Sequence, residues 1–169
     1  MYQIGEIIIY GSNGACRVEK VGSVEMEGLP KEKIYYTLKP VYANGGTVFT
    51  PVDNQKVVMR PIISREEAED LIEHIGTVET LWVEDEKKRE LQYKEALRTC
   101  DCRECIKVLK TLHRRRVSRI AEGKKATASD EKYLRLAEDS LYGELALALD
   151  MKRDEVGKYI EERVNMAKV

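Results

Sequence analysis

Three cysteines stand within six residues, at Cys100, Cys102 and Cys105, and thiolates at this spacing could bind a metal ion. The start of a helix favours such anions, because the positive end of the helix dipole lies there. A structural zinc ion takes four ligands, and neither a second Cys-x-x-Cys pair nor a pair of neighbouring histidines accompanies the cluster. The sequence therefore predicts reduced, partly buried thiols without a metal, and a zinc site is the alternative.

Catalytic residues are scarce in this sequence. His74 and His113 are the only histidines, and neither stands beside a nucleophile motif. The Gly-Ser-Asn-Gly run at residues 11–14 lacks the length and the following lysine of a phosphate-binding loop, so it predicts a turn. Carboxylates paired at helical spacing are typical of a solvated helix face. We therefore expect a protein that is not an enzyme and that uses no cofactor.

A block of positive charge is the strongest functional signal. The net charge is −1, but residues 98–125 carry ten Lys and Arg against three Asp and Glu. Lys107, Lys110 and Arg114 recur at steps of three and four, which places them on one helix face suited to phosphates. Further DNA contacts are predicted in the same block at Arg115, Arg116, Arg119, Lys124 and Lys125. The alternative is a solvated face balanced by neighbouring acids.

Trp82 is the only tryptophan, and it begins an otherwise charged stretch. A single tryptophan most often belongs to a core. An exposed tryptophan beside a basic helix could instead wedge against a DNA base step in the minor groove, as large apolar side chains do in kinked DNA. Both interpretations stay open at the level of residue types.

The first sixty residues have the pattern of a small β domain. Short runs of β-branched and aromatic residues are broken by Gly, Asn and Pro, which predicts short strands joined by tight turns. The predicted strands are Glu6–Tyr10, Ala15–Val24, Lys33–Lys39, Gly46–Thr50 and Val57–Arg60. Five antiparallel strands favour an SH3-like or Tudor-like barrel over residues 1–61, because closure removes exposed sheet edges.

From Ser64 onwards the apolar residues follow a helical period, so residues 62–169 predict an all-α domain of about five helices. The fold class is therefore α+β. Capping boxes are predicted at Ser64 with Glu67 and at Asp101 with Glu104. The predicted helices are Ser64–His74, Thr80–Arg98, Asp101–Ala121, a fourth from a cap at Ser129 or Asp130 to Leu149, and Lys152–Val164. The residues expected to face inward on the fourth helix are Tyr133, Leu134, Leu136, Ala137, Leu141, Leu145 and Leu149.

Composition also bears on location. The longest apolar runs fall far short of the roughly 20 residues that a membrane span needs, and no leader precedes the first strand. Four clustered cysteines are not distributed like a secreted disulfide framework. We expect a cytoplasmic protein with no membrane contact.

The order of several motifs resembles the CarD/CdnL family of bacterial transcription regulators, whose first domain is shared with transcription-repair coupling factors. The front motifs are Ile4-Gly5-Glu6, Tyr10, Gly14, Val18-Glu19, Tyr36-x-Leu38-Lys39 and Thr47-Val48-x-x-Pro51-x-x-Asn54. The later motifs are Tyr93-Lys94-x-x-Leu97, Leu112-x-Arg114-Arg115, Ser129-x-Glu131-Lys132 and Gly143-Glu144-Leu145-Ala146-Leu147-Ala148. Helices follow the front domain in this chain, where the coupling factors have a helicase motor.

This resemblance implies that the β domain binds the β subunit of bacterial RNA polymerase, and that the helical domain contacts promoter DNA at the upstream edge of the bubble. Trp82 would then be the wedge that stabilises the open complex, and Lys94 and Lys132 would join the basic patch. The functional complex is expected to contain one copy of the chain. The residues expected to contact polymerase are Val24, Val48, Phe49 and Pro51.

The sequence departs from the family pattern at three places. Val24 and Phe49 stand where some members carry arginines, which favours a more apolar interface or edge-strand addition to the partner. Trp82 lies eleven residues before Tyr93, a longer spacing than in some relatives. The cysteine cluster is outside the pattern. The alternatives to this function are a polymerase-bound interaction module without DNA contact and an enzyme.

Overall fold

In the computed structural model, which describes residues 1–43 and 45–167, the chain forms two compact units, Met1–Ile62 and Ile63–Val169. The first unit is a β-sheet and the second consists of helices. This confirms the predicted α+β class, with a β domain followed by five α-helices. No helix in the described ranges is both long and apolar enough to cross a membrane.

The β unit is an antiparallel sheet with the strand order β4-β3-β2-β1-β5. Its strands are β1 Ile7–Tyr10, β2 Ala15–Gly22, β3 Tyr35–Pro40, β4 Val48–Pro51 and β5 Met59–Pro61. The turn between β1 and β2 needs glycine at Gly11, because its φ is +47° and an added Cβ would lie 2.5 Å from a methyl carbon of Val57.

One face of the sheet forms a core of Ile8, Cys16, Val18, Tyr36 and Leu38, all almost fully buried. Side chains two residues apart along a strand point to the same face, which brings Cys16 and Val18 of β2 together with Tyr36 and Leu38 of β3. All five predicted strands exist, with bounds shifted by at most two residues. The backbone ladders formed by the described residues leave β4 and β5 at the two ends of the order, so the Tudor-like closure stays a prediction.

The helical unit contains α1 Arg65–Glu73, α2 Arg89–Arg98, α3 Cys102–Ala121, α4 Ala128–Leu149 and α5 Arg153–Ala167. The capping box at Ser64 and Glu67 is confirmed, with both reciprocal hydrogen bonds present. Asp101 caps α3 by accepting from the Arg103 N–H at 2.7 Å. These caps satisfy amides that the first helical turn leaves without partners.

A single core joins these helices. Tyr93 of α2 is fully buried, and its ring centroid lies 5.6 Å from that of Tyr133 on α4. The buried carboxylate of Glu144 accepts the Ile63 N–H at 2.9 Å, so α4 also holds the chain that enters α1. A polar group buried in this way needs its hydrogen bonds, because an unpaired carboxylate would cost several kcal/mol or more.

Four sequence predictions about the helices are wrong. The capping box predicted at Asp101 with Glu104 does not form, because Asp101 accepts from the Arg103 N–H and the Glu104 carboxylate pairs with Lys107. The helix predicted over Thr80–Arg98 begins only at Arg89, because Asp85 caps a 3₁₀ turn at Glu86–Lys88 and the residues before it are irregular. The cap of α4 is Thr127, whose hydroxyl accepts the Asp130 N–H at 3.1 Å. Leu136, expected to face inward, is 46% exposed, since the apolar face of α4 is narrower than the predicted stripe.

Replacing Thr127 by alanine should lower the free energy of unfolding by about 1 kcal/mol, since the cap of α4 would lose its side-chain acceptor. Ser129→Ala is the matched control, because Ser129 lies inside the helix, and its effect should stay within roughly 0.5 kcal/mol. Urea unfolding followed by circular dichroism measures both. An equal loss in Ser129→Ala would contradict the assignment of the cap.

Candidate nucleic-acid interface

Trp82 lies on the surface of the helical unit, with 82% of its area exposed. The structure therefore excludes the core interpretation of this residue. Its neighbours between Val78 and Asp85 form neither helix nor strand. An exposed indole on such a backbone gains little from packing, so contacts made by neighbouring residues must fix its direction.

The ammonium group of Lys110, on α3, holds the chain that follows α1. Its Nζ donates to the carbonyl oxygens of Ile75 at 3.1 Å and Gly76 at 3.2 Å, and also to that of Val78. An ammonium group has three hydrogens, and these three acceptors use all of them. Lys110 was predicted to contact DNA, and the structure shows its charge engaged with the backbone instead.

Thr111 provides the next contact between α3 and the residues around Trp82. Its hydroxyl accepts the backbone N–H of Leu81 at 2.8 Å and donates to the Lys107 carbonyl at 2.6 Å. The residue directly before Trp82 is thereby fixed to the helix.

Arg115 is held between two carboxylates. Its Nε donates to Asp130 at 2.7 Å and its Nη1 donates to Glu86 at 3.1 Å. Glu86 also accepts from Arg89, whose hydrogen bond is the largest cause that lowers the pKa of Glu86 to about 2. The same carboxylate, with the Tyr93 hydroxyl, raises the pKa of Arg89. This network joins the 3₁₀ turn to α2, α3 and α4.

Most of the other predicted phosphate contacts also have partners within the chain. The ion pairs are Lys94 with Glu90 at 3.8 Å, Lys107 with Glu104 at 2.9 Å, and Lys124 with Glu122 at 3.4 Å. The remaining two are Arg119, which donates to the Lys125 carbonyl at 2.9 Å, and Lys132, which lies 5.4 Å from the centre of the Tyr133 ring. Surface pairs of this kind contribute little and exchange easily.

Arg114, Arg116 and Lys125 are exposed, and none of them forms an ion pair within residues 1–43 and 45–167. Arg114 also lines one surface pocket together with Trp82 and Lys110. The predicted strip of Lys107, Lys110 and Arg114 thus does share a helix face. Of its three cations, Arg114 is the one with donors available to a ligand.

In the β unit, Val48, Phe49 and Pro51 come together on β4, a strand at one end of the sheet. Val48 packs partly on the core, whereas Phe49 is half-buried and outside that cluster. Val24 follows the end of β2 and belongs to no strand. The structure therefore places three of the four predicted polymerase contacts on one strand, and Val24 lies outside the strands.

The cysteine cluster is part of the helical core. Cys105 is buried, and burial raises the pKa of its thiol to about 11, so the thiolate that a metal needs is disfavoured. The Cys102 thiol donates to Glu144 at 3.2 Å. Cys100 is buried and has a φ of +56° at the junction of α2 and α3. These surroundings are those of structural thiols.

Among the described residues, one group of three side chains could place ligand atoms around a metal ion, namely Asp70, Glu73 and His74. All three are exposed at the end of α1. The hydrogen bond with Asp70 raises the pKa of His74. Protonation of the imidazole competes with metal binding, so this arrangement is that of a surface ion pair.

Comparison with known families agrees with this arrangement. Residues 2–63 match the CarD-like/TRCF RID domain, and residues 70–161 match the CarD C-terminal domain. Such domains define a non-enzymatic transcription regulator that interacts with RNA polymerase. The chain belongs to the CarD family, as its motifs predict. No individual curated protein matches it significantly.

Sequence reasoning missed the residues that hold the Trp82 backbone. Glu86 and Arg89 are three residues apart, so helical spacing alone could have revealed that pair. Nothing in the sequence distinguished Thr111, because the hydroxyl of a threonine on a buried helix face usually donates to a carbonyl of its own helix. Asp130 lies fifteen residues from Arg115, and only the packing of α3 on α4 brings them together.

The Glu86 carboxylate should make stability depend on acid pH. Because the folded state lowers its pKa, this contribution is present above the ordinary value of 4.5 and is lost as the pH falls towards about 2. We expect Glu86→Gln to have a lower urea midpoint than the wild type at neutral pH, and the difference to close in that acid range. Because the Glu86 carboxylate is exposed, solvent screens its ion pairs and keeps the difference in stability small.

Glu84→Gln is the control for this titration, since Glu84 is exposed and makes no ion pair in the described part of the chain. Its midpoint at neutral pH should equal that of the wild type. A Glu86→Gln difference that persists unchanged to the acid end would contradict the assigned carboxylate contacts.

Proposed function

We propose that this protein regulates transcription by binding the β subunit of RNA polymerase through its β unit and promoter DNA through its helical unit. The DNA contact lies at the upstream edge of the bubble, and its effect is a change in open-complex stability. The observation that carries this proposal is Trp82, an exposed aromatic side chain on an anchored backbone beside the exposed Arg114.

A tryptophan in this setting suits a distorted or opened duplex. Large apolar side chains enter the minor groove where base steps unstack, and the opening of promoter DNA supplies such steps. Contacts made only with the opened promoter DNA stabilise it relative to the closed DNA, because a ligand shifts an equilibrium between two forms by the difference between its affinities for them. Trp82 would thereby change promoter opening without any chemical step.

The exposed cations of the helical unit would hold the phosphate backbone. Arg114, Arg116 and Lys125 have donors ready for phosphate oxygens, and such contacts set position without reading sequence. Lys94, Lys107 and Lys124 can exchange their exposed carboxylate partners for phosphates at little cost. Arg119 and Lys132 would extend this surface.

On the β unit, β4 is the strand we propose for the polymerase contact. An end strand leaves backbone donors and acceptors that a partner strand can pair with, and Phe49 adds apolar area beside them. Pro51 lacks an N–H and would limit such pairing at its end of the strand. Val48 and Val24 would contribute at the margin of this interface.

A second candidate is a polymerase-bound module without DNA contact, and it is favoured by the number of cations already paired within the chain. The two functions differ in the salt dependence of DNA binding. Phosphate contacts release counterions, so a DNA-binding helical unit gives a steep fall of affinity with salt. The module without DNA contact gives none.

Trp82→Ala should abolish most of the effect on open-complex lifetime. An aromatic contact with a base is worth about 1–3 kcal/mol, which corresponds to roughly 5-fold to 140-fold in lifetime. The measurement is the decay of open complexes formed with cognate polymerase after addition of a competitor. Leu91→Ala removes an exposed side chain of the same unit and should behave like the wild type. Equal lifetimes for Trp82→Ala and the wild type would exclude the wedge.

Phe49→Ala should weaken binding to polymerase about tenfold, as removal of an aromatic residue from an interface commonly does. Affinity for the isolated β-subunit fragment can be measured by calorimetry. Met26→Ala, which removes an exposed apolar side chain of the loop before β3, is the matched control. If Met26→Ala loses as much affinity as Phe49→Ala, the contact does not lie on β4.

A further inference from the structure

We propose that Lys110, Thr111 and Arg115 are positioning residues that fix the direction of Trp82, and that Arg114 between them is the residue that contacts phosphate. Residues 110–115 of α3 thus have two different roles, which their charges alone do not distinguish. The inference rests on the proposed contact of Trp82 with DNA. The part of the chain being positioned is residues 75–86, which we name the Trp82 segment.

The Trp82 segment needs partners from outside itself. From Val78 to Asp85 it has no regular secondary structure, so its backbone groups lack the neighbours that a helix or a strand would give them. Lys110 satisfies carbonyl groups at one end of the segment, on Ile75, Gly76 and Val78. Neutralising this side chain would leave three acceptors without their shared donor.

Thr111 and Arg115 fix the middle and the far end of the segment. The Thr111 hydroxyl accepts the Leu81 amide at 2.8 Å, one residue before Trp82. Arg115 reaches Glu86, four residues after Trp82, while its Nε stays bound to Asp130. Anchors therefore lie on both sides of the indole, and all three project from one helix.

Within the residues that the structure describes, Arg114 makes none of the side-chain contacts with the Trp82 segment that define these anchors. It is exposed, it makes no ion pair within the described residues, and it lines the pocket that Trp82 also lines. Its guanidinium can meet a phosphate with two parallel hydrogen bonds. A backbone fixed before binding spares the cost of ordering it on the DNA, so the anchors would raise affinity without touching the ligand.

Fluorescence of Trp82 tests the anchors without DNA, because it is the only tryptophan in the chain. The variants are Lys110→Met, Thr111→Val and Arg115→Met, with Arg114→Met as the matched loss of one positive charge. Time-resolved anisotropy of the full chain reports how freely the indole moves. We expect a larger fast component in the three anchor variants and an unchanged decay in Arg114→Met.

Thr111→Val keeps the shape of the side chain and removes only its hydrogen bonds, so it serves if Lys110→Met fails to fold. Circular dichroism and the urea midpoint establish that each variant compared is folded. Folded Thr111→Val with the wild-type anisotropy decay would overturn the positioning role. The same decay change in Arg114→Met would overturn the division between the residues.

The salt dependence of binding to a forked promoter duplex separates positioning from phosphate contact. Each phosphate contact contributes about 0.9 to the slope of log affinity against log salt. Arg114→Met should lose about one such contact, whereas Lys110→Met and Thr111→Val should bind more weakly with the wild-type slope. A reduced slope in Lys110→Met would make that residue a phosphate contact and overturn the proposal.

Failure of the proposed function gives a different result. If the wild-type chain shows no salt-dependent binding to the fork, the DNA role is wrong, while the anisotropy measurements still decide whether α3 anchors the segment. If the anisotropy then changes only in the anchor variants, the positioning role of the three anchors stands. The partner of Trp82 would in that case be a protein and not DNA.

Discussion

The bonds between the Lys110 ammonium and three backbone carbonyls are the interaction on which the candidate site depends. They fix the turn after α1, and the irregular backbone that carries Trp82 begins at that turn. A backbone without helix or strand pairing must find other partners for its polar groups, and here those partners are side chains of α3. The helix with the highest positive charge therefore also supports the exposed indole. Because some cations of α3 bind groups of the chain itself, the number of cations on α3 is larger than the number available to a ligand.

Ion pairs within the chain determine which of those cations are available to bind an external ligand. Arg115 lies between Asp130 and Glu86, and its charge is balanced before any partner arrives. Arg114, one position earlier, faces solvent beside Trp82. Successive residues of a helix point about 100° apart, so neighbours in sequence can serve opposite purposes. The site is thus a small exposed contact on a rigid support, and the rigidity comes from buried or half-buried polar contacts.

Much of the architecture could be predicted from local patterns. Short runs of β-branched and aromatic residues between turn residues predicted the five strands, helical periodicity predicted α1, α3, α4 and α5, and Ser64 with Glu67 formed the expected capping box. The failures have separate causes. Asp85 caps a 3₁₀ turn, so the helix predicted from Thr80 begins only at Arg89. The acidic partner of Arg115 on α4 could not be predicted, because only the packing of α3 on α4 brings the two side chains together. The family could be recognised from the order of the motifs, whereas the ion pairs of the lysines and arginines become visible only in the folded structure.

The central claim is that Trp82 meets promoter DNA at the upstream edge of the bubble while the β unit holds polymerase. The most direct test replaces Trp82 with a photocrosslinking amino acid and irradiates open complexes formed with cognate polymerase. We predict a crosslink to promoter DNA at the upstream fork, and its loss when the complex is kept closed. Crosslinks only to polymerase subunits, or the same DNA crosslink in the closed complex, would contradict the claim.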